Sequence, residues 1–425
     1  MNVKIIPKKL TGKIEAMPSK SHAHRVLIAQ KLAQLQGNGN GGNQTIPSFS
    51  RDIEATKNCL LQLDKLMPFL DCKESGSTLR FMLPVAMALK DEAVFMGSGK
   101  LPYRPISPLK EEMETHGCSF TMGGRDSKPG DRYKEICTIR GRLQPGAYRL
   151  AGNVSSQFIT GLLFALPLLD GDSTLELTTA LESAGYVDLT MDVLRAFGIS
   201  IEENRNPDGF IIYEIAGNQK YIEPAGTPIQ CDWSNAAFWL ACGALGGDIT
   251  LTGLDLTSSQ RDKEIVAILK DMGADIDVDT AENHLSSIRC RGAALASAEV
   301  SVSQIPDLVP VLAATMSLAK GSSLITNAER LRIKESDRLQ TVYDFLSRLG
   351  ADITDGGSGL SITGQTALNG GTVSGHNDHR IVMAAAVASC GCTQPVIIQG
   401  AEAVNKSYPE FFKDFAALGG EVYEV

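Results

Sequence analysis

The stretch Val193–Ile201, VLRAFGISI, decides the fold because its pattern returns along the chain. It recurs as ILKDMGADI at Ile268–Ile276, FLSRLGADI at Phe345–Ile353 and FAALGGEVY at Phe415–Tyr423. METHGCSF at Met113–Phe120 is a fifth copy, and NCLLQLDKL at Asn58–Leu66 is a degenerate sixth. Each reads as the last turns of an amphipathic helix, a glycine free to adopt positive φ, and the start of an alternating strand.

A second unit interleaves with the first. It opens on polar residues and continues as a helix apolar on nearly every side. The copies start at Ser21 (SHAHRVLIAQKLA), Ser77 (STLRFMLPVAMAL), Ser155 (SSQFITGLLFALPLL), Ser234 (SNAAFWLACGAL), Asp307 (DLVPVLAATMSLA) and Asp378 (DHRIVMAAAVA). Spacings of roughly 55–80 residues exceed those of common solenoids. A helix without a polar face must be buried, so each belongs inside its own strand–helix unit. The polar openings are suited to cap the helices. Six units make two domains of three, which agrees with a length of 425 residues. Helix N-termini offer free N–H groups and partial positive charge, so six of them facing one site would suit phosphate and carboxylate.

Hydrophobic residues at 43% and charged residues at 21% are those of a globular protein. A formal charge of −9 argues against nucleic acid or an anionic membrane as the main partner. The nine cysteines show no framework or zinc spacing and read as reduced core thiols of a cytosolic protein. Met1–Lys20 has no apolar core of a secretory signal, and the apolar stretch Phe158–Leu169 is too short to span a bilayer.

Basic residues collect where surface charges have no reason to: Lys20 with Arg25, Arg80, Arg104 in LPYRPI, Lys334 and Arg338 in RIKESDR, Arg380 in NDHR and Lys406 in NKSYP. Together they could hold two phosphates and a carboxylate by forked, charge-assisted hydrogen bonds. Asp307, after Pro306, and Glu335, between Lys334 and Arg338, are candidates for acid–base work; a helix cap and a salt-bridged structural role are the competing readings. His22, His24, His376 and His379 could be imagined around a metal, but the neighbouring cations oppose a divalent ion, so no metal is expected. GNGNGG at Gly37–Gly42 follows a helix, not a strand, and reads as a loop, not a dinucleotide site.

PSKSHAHR, ESGSTLRF, LPYRPI, GNVSSQF, IPD, RIKESDR, NDHR and NKSYPEFF stand in one order from Pro18 to Phe412. In this the chain resembles the 5-enolpyruvylshikimate-3-phosphate synthase family. The related UDP-N-acetylglucosamine enolpyruvyl transferases typically carry Lys-Asn where this chain has Lys20-Ser21, and a loop cysteine where it has GSGKLPYRP. A binding protein with a decayed site would have lost some of Lys20, Asp307, Glu335 or Lys406, and all are present.

The resemblance implies an α/β fold of two globular domains, each of three βαβαββ units around buried parallel helices (an inside-out α/β barrel), with a cleft between them. The domains would be residues 1–19 with 231–425, and an inserted 20–230. It implies transfer of the enolpyruvyl group of phosphoenolpyruvate to shikimate 3-phosphate by a cytoplasmic monomer, without cofactor. Shikimate 3-phosphate would be held by Lys20, Ser21, Arg25, Ser155, Ser156, Ser183, Asp307 and Lys334. Phosphoenolpyruvate would be held by Lys20, Gly76, Arg104, Gln157, Arg338, Arg380 and Lys406. Asp307, Glu335 and Lys20 would be catalytic, Asp307 as base toward the 5-hydroxyl and Glu335 as acid toward the methylene. The chain departs from the family pattern at Glu74, at Ser183-Ala184-Gly185-Tyr186, at Arg330, and between Leu66 and Asp71, where the first repeat lacks a hairpin.

Overall fold

Gly117, Gly198, Gly273, Gly350 and Gly419, one in each full copy of the repeat, have φ between +80° and +100°. In each case the next N–H bonds to a carbonyl five residues back: Cys118 to Met113, Ile199 to Leu194, Ala274 to Leu269, Ala351 to Leu346 and Gly420 to Phe415. That closure consumes a carbonyl the helix end would otherwise leave unpaired, and a side chain at the glycine would strain it.

The computed structural model of the chain describes residues 1–39, 46, 49–123, 134–281 and 284–425. In chain order, β1 (Asn2–Ile6) and β2 (Thr11–Glu15) come first, then α1 (Lys20–Leu35) and α2 (Arg51–Gln62). One repeat contains β3 (Phe69–Asp71), α3 (Gly76–Leu89), β4 (Glu92–Gly97), α4 (Leu109–Thr115), β5 (Ser119–Met122) and β6 (Lys134–Arg140). The next contains β7 (Ala147–Leu150), α5 (Ser156–Ala165), β8 (Ser173–Leu177), α6 (Ala184–Ala196), β9 (Glu202–Arg205) and β10 (Ile211–Ile215). The third has α7 (Trp233–Ala244), β11 (Asp248–Asp255), α8 (Ile265–Asp271), β12 (Asp275–Thr280) and β13 (Leu285–Arg291). The fourth has β14 (Glu299–Ser301), α9 (Val309–Met316), β15 (Ser322–Thr326), α10 (Arg338–Arg348), β16 (Asp352–Asp355) and β17 (Leu360–Thr363). The last has β18 (Gly371–Ser374), α11 (His379–Ser389), β19 (Val396–Gln399), α12 (Phe411–Ala417) and β20 (Glu421–Glu424).

Each repeat builds a four-stranded sheet of one kind, such as β3-β4-β6-β5, β7-β8-β10-β9 and β14-β15-β17-β16. The first strand runs parallel to the second, and an antiparallel hairpin completes the sheet. The N-terminal strands complete two others: β2 lies parallel to β11, and β1 lies antiparallel to β19 and β20. The βαβαββ order is thus complete five times. In the first repeat the described residues form α1 and α2, and the chain then passes from α2 through Leu63–Pro68 straight into β3 without a hairpin. The missing hairpin is the one the sequence lacks between Leu66 and Asp71.

Two compact units result, Lys20–Ile229 and Met1–Ser19 with Gln230–Val425, each with its own hydrophobic core. In the second, the chain crossings are tied side by side by the Pro18–Cys231 bridge, with Ser19 N–H donating to Gln230 and Asp232 N–H to Met17. The six all-apolar helices are buried as their sequences require, but their caps differ in detail from expectation. Ser155 and Asp378 do cap their helices, whereas Ser75 and Asp232 take the roles expected of Ser77 and Ser234. A cap residue must be extended while its side chain accepts an N–H two or three residues on, and Ser77 and Ser234 already have helical neighbours on both sides.

The pairing of α3 with α5 places Arg80. Pro84 has no N–H to give the Arg80 carbonyl four residues earlier, and Gly161 of α5 packs over that spot. A Cβ on Gly161 would stand 2.6 Å from the Arg80 carbonyl oxygen and 2.8 Å from Pro84 Cγ. We expect Gly161→Ala to push the helices apart and cost roughly 1–3 kcal/mol of stability. Urea unfolding of the variant measures this, and an unchanged midpoint would mean the helices separate freely.

Candidate active site

In the 20–229 unit the expected anion-binding residues lie at the starts of α1, α3 and α5. Lys20 is the first residue of α1, and its Nζ lies 2.7 Å from Asp52 Oδ2 in the first turn of α2. One turn along, Arg25 is buried over the Phe81 ring. It donates from Nε to Thr190 Oγ1 (2.8 Å), from Nη2 to the Tyr186 carbonyl (2.8 Å) and Thr160 Oγ1 (3.3 Å), and from Nη1 to the Ser21 carbonyl (2.6 Å). Burial lowers its pKa to about 9. All these acceptors are neutral, so they hold the guanidinium in place without cancelling its charge.

Gly76 begins α3 between two guanidinium groups: a Cβ there would come 2.6 Å from Arg104 Nη1 and 2.8 Å from Arg80 Nη1. Arg80 donates to Gln157 Oε1 (2.8 Å) and the Pro105 carbonyl (3.2 Å), and Gln157 Nε2 donates to Ser77 Oγ (2.9 Å). Gly76, Arg80, Arg104 and Gln157 therefore form one patch. Ser155 Oγ accepts the Gln157 N–H, and Ser156 is buried in the first turn of α5. Ser183 precedes α6 at φ +54°, a left-handed conformation uncommon for serine and the kind of local strain found at functional sites. Glu74 lies against Gly99, where a Cβ would meet its carboxylate.

In the other unit, Arg338, the first residue of α10, is almost fully buried and gathers three carboxylates. Its Nη1 meets Asp307 Oδ1 (2.7 Å), its Nη2 Glu335 Oε2 (2.7 Å) and its Nε Asp378 Oδ2 (2.8 Å). Burial opposes its charge, but Asp378, Glu335 and Asp307 outweigh that and raise its pKa. Arg380 Nη2 approaches the other Asp307 oxygen (3.1 Å). Lys334 is half-buried, and desolvation lowers its pKa to about 8 despite Asp307 nearby. Lys406 Nζ donates to the carbonyl of Asn377 (2.7 Å), which with His376 has φ of +50° to +55° just before the Asp378 cap. The neighbouring Tyr408 and Phe411 pack edge-on and stacked against Trp239, which ties the Lys406 turn to α7. Arg330 donates to the Ser303 carbonyl (2.9 Å).

Three carboxylates of the two units escape reading from sequence. Asp52 looks like any first-turn acid and Asp378 like any cap. Asp262, in SSQRDKE, is buried, accepts a hydrogen bond from Ser234 and has its pKa raised to about 7, first by burial and then by Asp307. Their partners are distant in sequence, so no local spacing reports them. Among the described residues no group of three or more His, Cys, Asp or Glu could hold a metal. His22 and His24 belong to one unit, His376 and His379 to the other. The second half of the GNGNGG loop lies outside the described residues; Gly37 stands in the turn that ends α1.

The profile of the family described as EPSP synthase (3-phosphoshikimate 1-carboxyvinyltransferase) matches residues 5–415. The chain belongs to the EPSP synthase family. A 3-phosphoshikimate 1-carboxyvinyltransferase of Clostridium kluyveri is 43% identical over 442 residues, covering 99% of this chain and 98% of its own. One from Clostridium novyi is 42% identical, covering 100% and 98%. A solved EPSP synthase from Acinetobacter baumannii superposes with a TM-score of 0.76 at 23% identity, covering both chains fully. The enolpyruvyl transferase NikO from Streptomyces tendae gives 0.71 at 15%, over 100% and 98%. At those identities the structures speak for the fold, and the two-domain inside-out α/β architecture is that of the EPSP synthase family.

The buried imidazoles of the site give a pH signature. Burial and Arg25 lower the pKa of His22 to about 4, and burial with Lys20 and Arg25 holds His24 well below 6.5. Below pH 6.5 the unfolded chain binds protons that the folded imidazoles refuse, so stability falls with pH in that window. Asp262 acts in the opposite sense, because its folded carboxyl is protonated between about 4 and 7 while the unfolded one is not. Two imidazoles outweigh one carboxyl, so the chain should lose stability from pH 7 to 5. His22→Gln should remove roughly 2 kcal/mol of that loss. Urea midpoints at the two pH values decide it, and equal slopes for both proteins would exclude His22 as a source.

Proposed function

We propose that the chain transfers the enolpyruvyl group of phosphoenolpyruvate to the 5-hydroxyl of shikimate 3-phosphate and releases phosphate, with its own side chains as anion holders, base and acid. The observation that carries the assignment is the sharing of Arg338 by Asp307 and Glu335, within a chain that matches the family from end to end. Arg25 and Arg80 donate to neutral groups, which suits dianionic phosphates, whereas Lys20 also faces Asp52. Arg338, Arg380 and Lys334 are already opposed by Asp307, Glu335 and Asp378, which suits a single carboxylate and proton transfer.

Shikimate 3-phosphate is assigned to Lys20, Ser21, Arg25, Ser155, Ser156, Ser183, Asp307 and Lys334. Phosphoenolpyruvate is assigned to Lys20, Gly76, Arg104, Gln157, Arg338, Arg380 and Lys406. Both Asp307 oxygens face guanidinium groups, which weakens the carboxylate as a base. A substrate carboxylate drawn to Arg338 and Arg380 competes for those groups and returns basicity to Asp307. Asp307 then takes the 5-hydroxyl proton as the oxygen bonds to C2 of phosphoenolpyruvate, while Glu335 gives a proton to C3. The tetrahedral intermediate collapses as the C2–O bond to phosphate breaks, the departing phosphate takes up the proton held by Asp307, and a methyl proton returns to Glu335. Lys20 and Arg104 stabilise the departing phosphate. One chain supplies every group in this scheme, which supports a monomer. Nine free cysteines support a reducing cytoplasm. No helix among the described residues is long and apolar enough to cross a membrane.

Phosphate release that requires both substrates is the direct test of the reaction. Asp307→Asn and Glu335→Gln should each lower kcat by about 100-fold or more, with substrate dissociation constants within a few-fold. Near-normal turnover by either variant would remove that residue from its role. Gly76→Ala, by displacing the Arg104 and Arg80 guanidinium groups, should raise the KM for phosphoenolpyruvate more than that for shikimate 3-phosphate. Equal increases would count against the placement.

A further inference from the structure

Helix α2 meets α1 through two polar rungs in matching register. Asp52 and Thr56 are four residues apart on α2, and Lys20 and His24 four apart on α1, so each pair shares one helix face. Lys20 Nζ meets Asp52 Oδ2 at 2.7 Å, and His24 Nδ1 meets Thr56 Oγ1 at 2.7 Å. The second rung continues inward: Thr56 Oγ1 lies 2.7 Å from Thr78 Oγ1, and Thr78 Oγ1 donates to Ser75 Oγ at 2.7 Å. Ser75 caps α3 by accepting the Thr78 N–H, and Gly76 is the next residue. His24, Thr56, Thr78 and Ser75 are all essentially excluded from solvent.

Counting protons gives this chain a direction. The single hydroxyl proton of Thr78 goes to Ser75, so Thr78 must accept from Thr56. The Thr56 proton is then committed, so Thr56 must accept from His24, which makes Nδ1 the protonated ring nitrogen. Among the described residues the buried Nε2 has no hydrogen-bond partner, and a proton there would face Lys20 and Arg25. The imidazole thus stays neutral in one tautomer.

We propose that Thr56 is a positioning residue for phosphoenolpyruvate: it fixes the turn bearing Lys20 and the turn bearing Gly76 relative to each other through a one-way chain of hydrogen bonds, His24→Thr56→Thr78→Ser75. The proposal rests on the functional reading above, under which both turns bind that substrate. Breaking the chain at Thr56 strands a donor at His24 and an acceptor at Thr78.

The test has an arm that needs no substrate. Nitrogen-15 NMR of the wild-type chain should show His24 with a pyrrole-type Nδ1 and a pyridine-type Nε2; the opposite tautomer would overturn the chain. In steady-state kinetics, Thr56→Val should raise the KM for phosphoenolpyruvate roughly 3–10-fold, with a smaller change for shikimate 3-phosphate and kcat within about twofold. Thr56→Ser, which restores the hydroxyl, should return the KM to within about twofold of wild type. A Thr56→Val variant that merely loses thermal stability, or changes both KM values equally, would overturn the proposal, as would failure of Thr56→Ser to rescue. If Thr56→Val does not fold, Thr78→Val and Thr78→Ser break and restore the next link and are read in the same way. A wild-type chain that fails to turn over both substrates would instead count against the proposed function, with the tautomer still judging the chain of hydrogen bonds.

Discussion

A helix that is apolar on every side is stable in water only if other structure covers it, and that constraint organises this chain. In the complete repeats each buried helix lies with the strands of its own sheet, and an amphipathic helix then leads the chain into the last strands of that sheet. Coverage along the sides leaves the first turn as the part of the helix that can carry polar groups. That turn must carry them, because its N–H groups have no partners within the helix. Ser75, Ser155, Asp232 and Asp378 satisfy those groups, and the same turns supply Gly76, Gln157 and Arg380. The placement of chemistry therefore follows from the packing rule that shapes the fold.

The two units use their charges differently. In the 20–229 unit, Arg25 is held by threonine hydroxyls and backbone carbonyls, which orient it without cancelling it. In the other, Arg338 is almost wholly surrounded by carboxylates. A buried cation with neutral partners is costly to keep, and depression of the Arg25 pKa to about 9 records that cost. An incoming anion relieves it. Arg338 has no such deficit, and an anion arriving there must displace a carboxylate already in place. The first arrangement favours binding, whereas the second changes the protonation behaviour of what is displaced.

How much of this was legible in the sequence depended on whether the signal was local. The Gly198 and Gly273 motifs report a helix end and a strand start within nine residues, so the repeats could be read directly. The loss of a hairpin between Leu66 and Asp71 was legible for the same reason, as a spacing too short to contain it. Ser77 and Ser234 show the limit: two polar residues compete for a cap, and backbone conformation, not composition, chooses. Asp262 and Thr56 mark the other boundary. Asp262 matters through Asp307, and Thr56 through His24 and Thr78, contacts that exist only after distant helices pack. No periodicity within α2 distinguishes Thr56 from a residue filling space.

In the proposed reaction Asp307 is a carboxylate that is both structural and reactive. Taken alone, its bonds to Arg338 and Arg380 describe a salt bridge, and such a pair in a buried setting does not by itself argue for stability, since desolvation consumes much of the attraction. Well-packed apolar residues would fill the same space at least as favourably. What apolar residues could not do is exchange partners. Arg338 can release Asp307 and still face Asp378, which is fully buried, caps α11 and also accepts from Ser336. Asp378 keeps the arginine charged and in position while its other contacts change. Removing Asp378 would leave Arg338 dependent on Asp307 and Glu335 for compensation, so that neither acid could be given up without stranding a buried cation. In the proposed reaction, the group that lets Asp307 act as a base is thus a third carboxylate whose sequence signature is that of an ordinary helix cap.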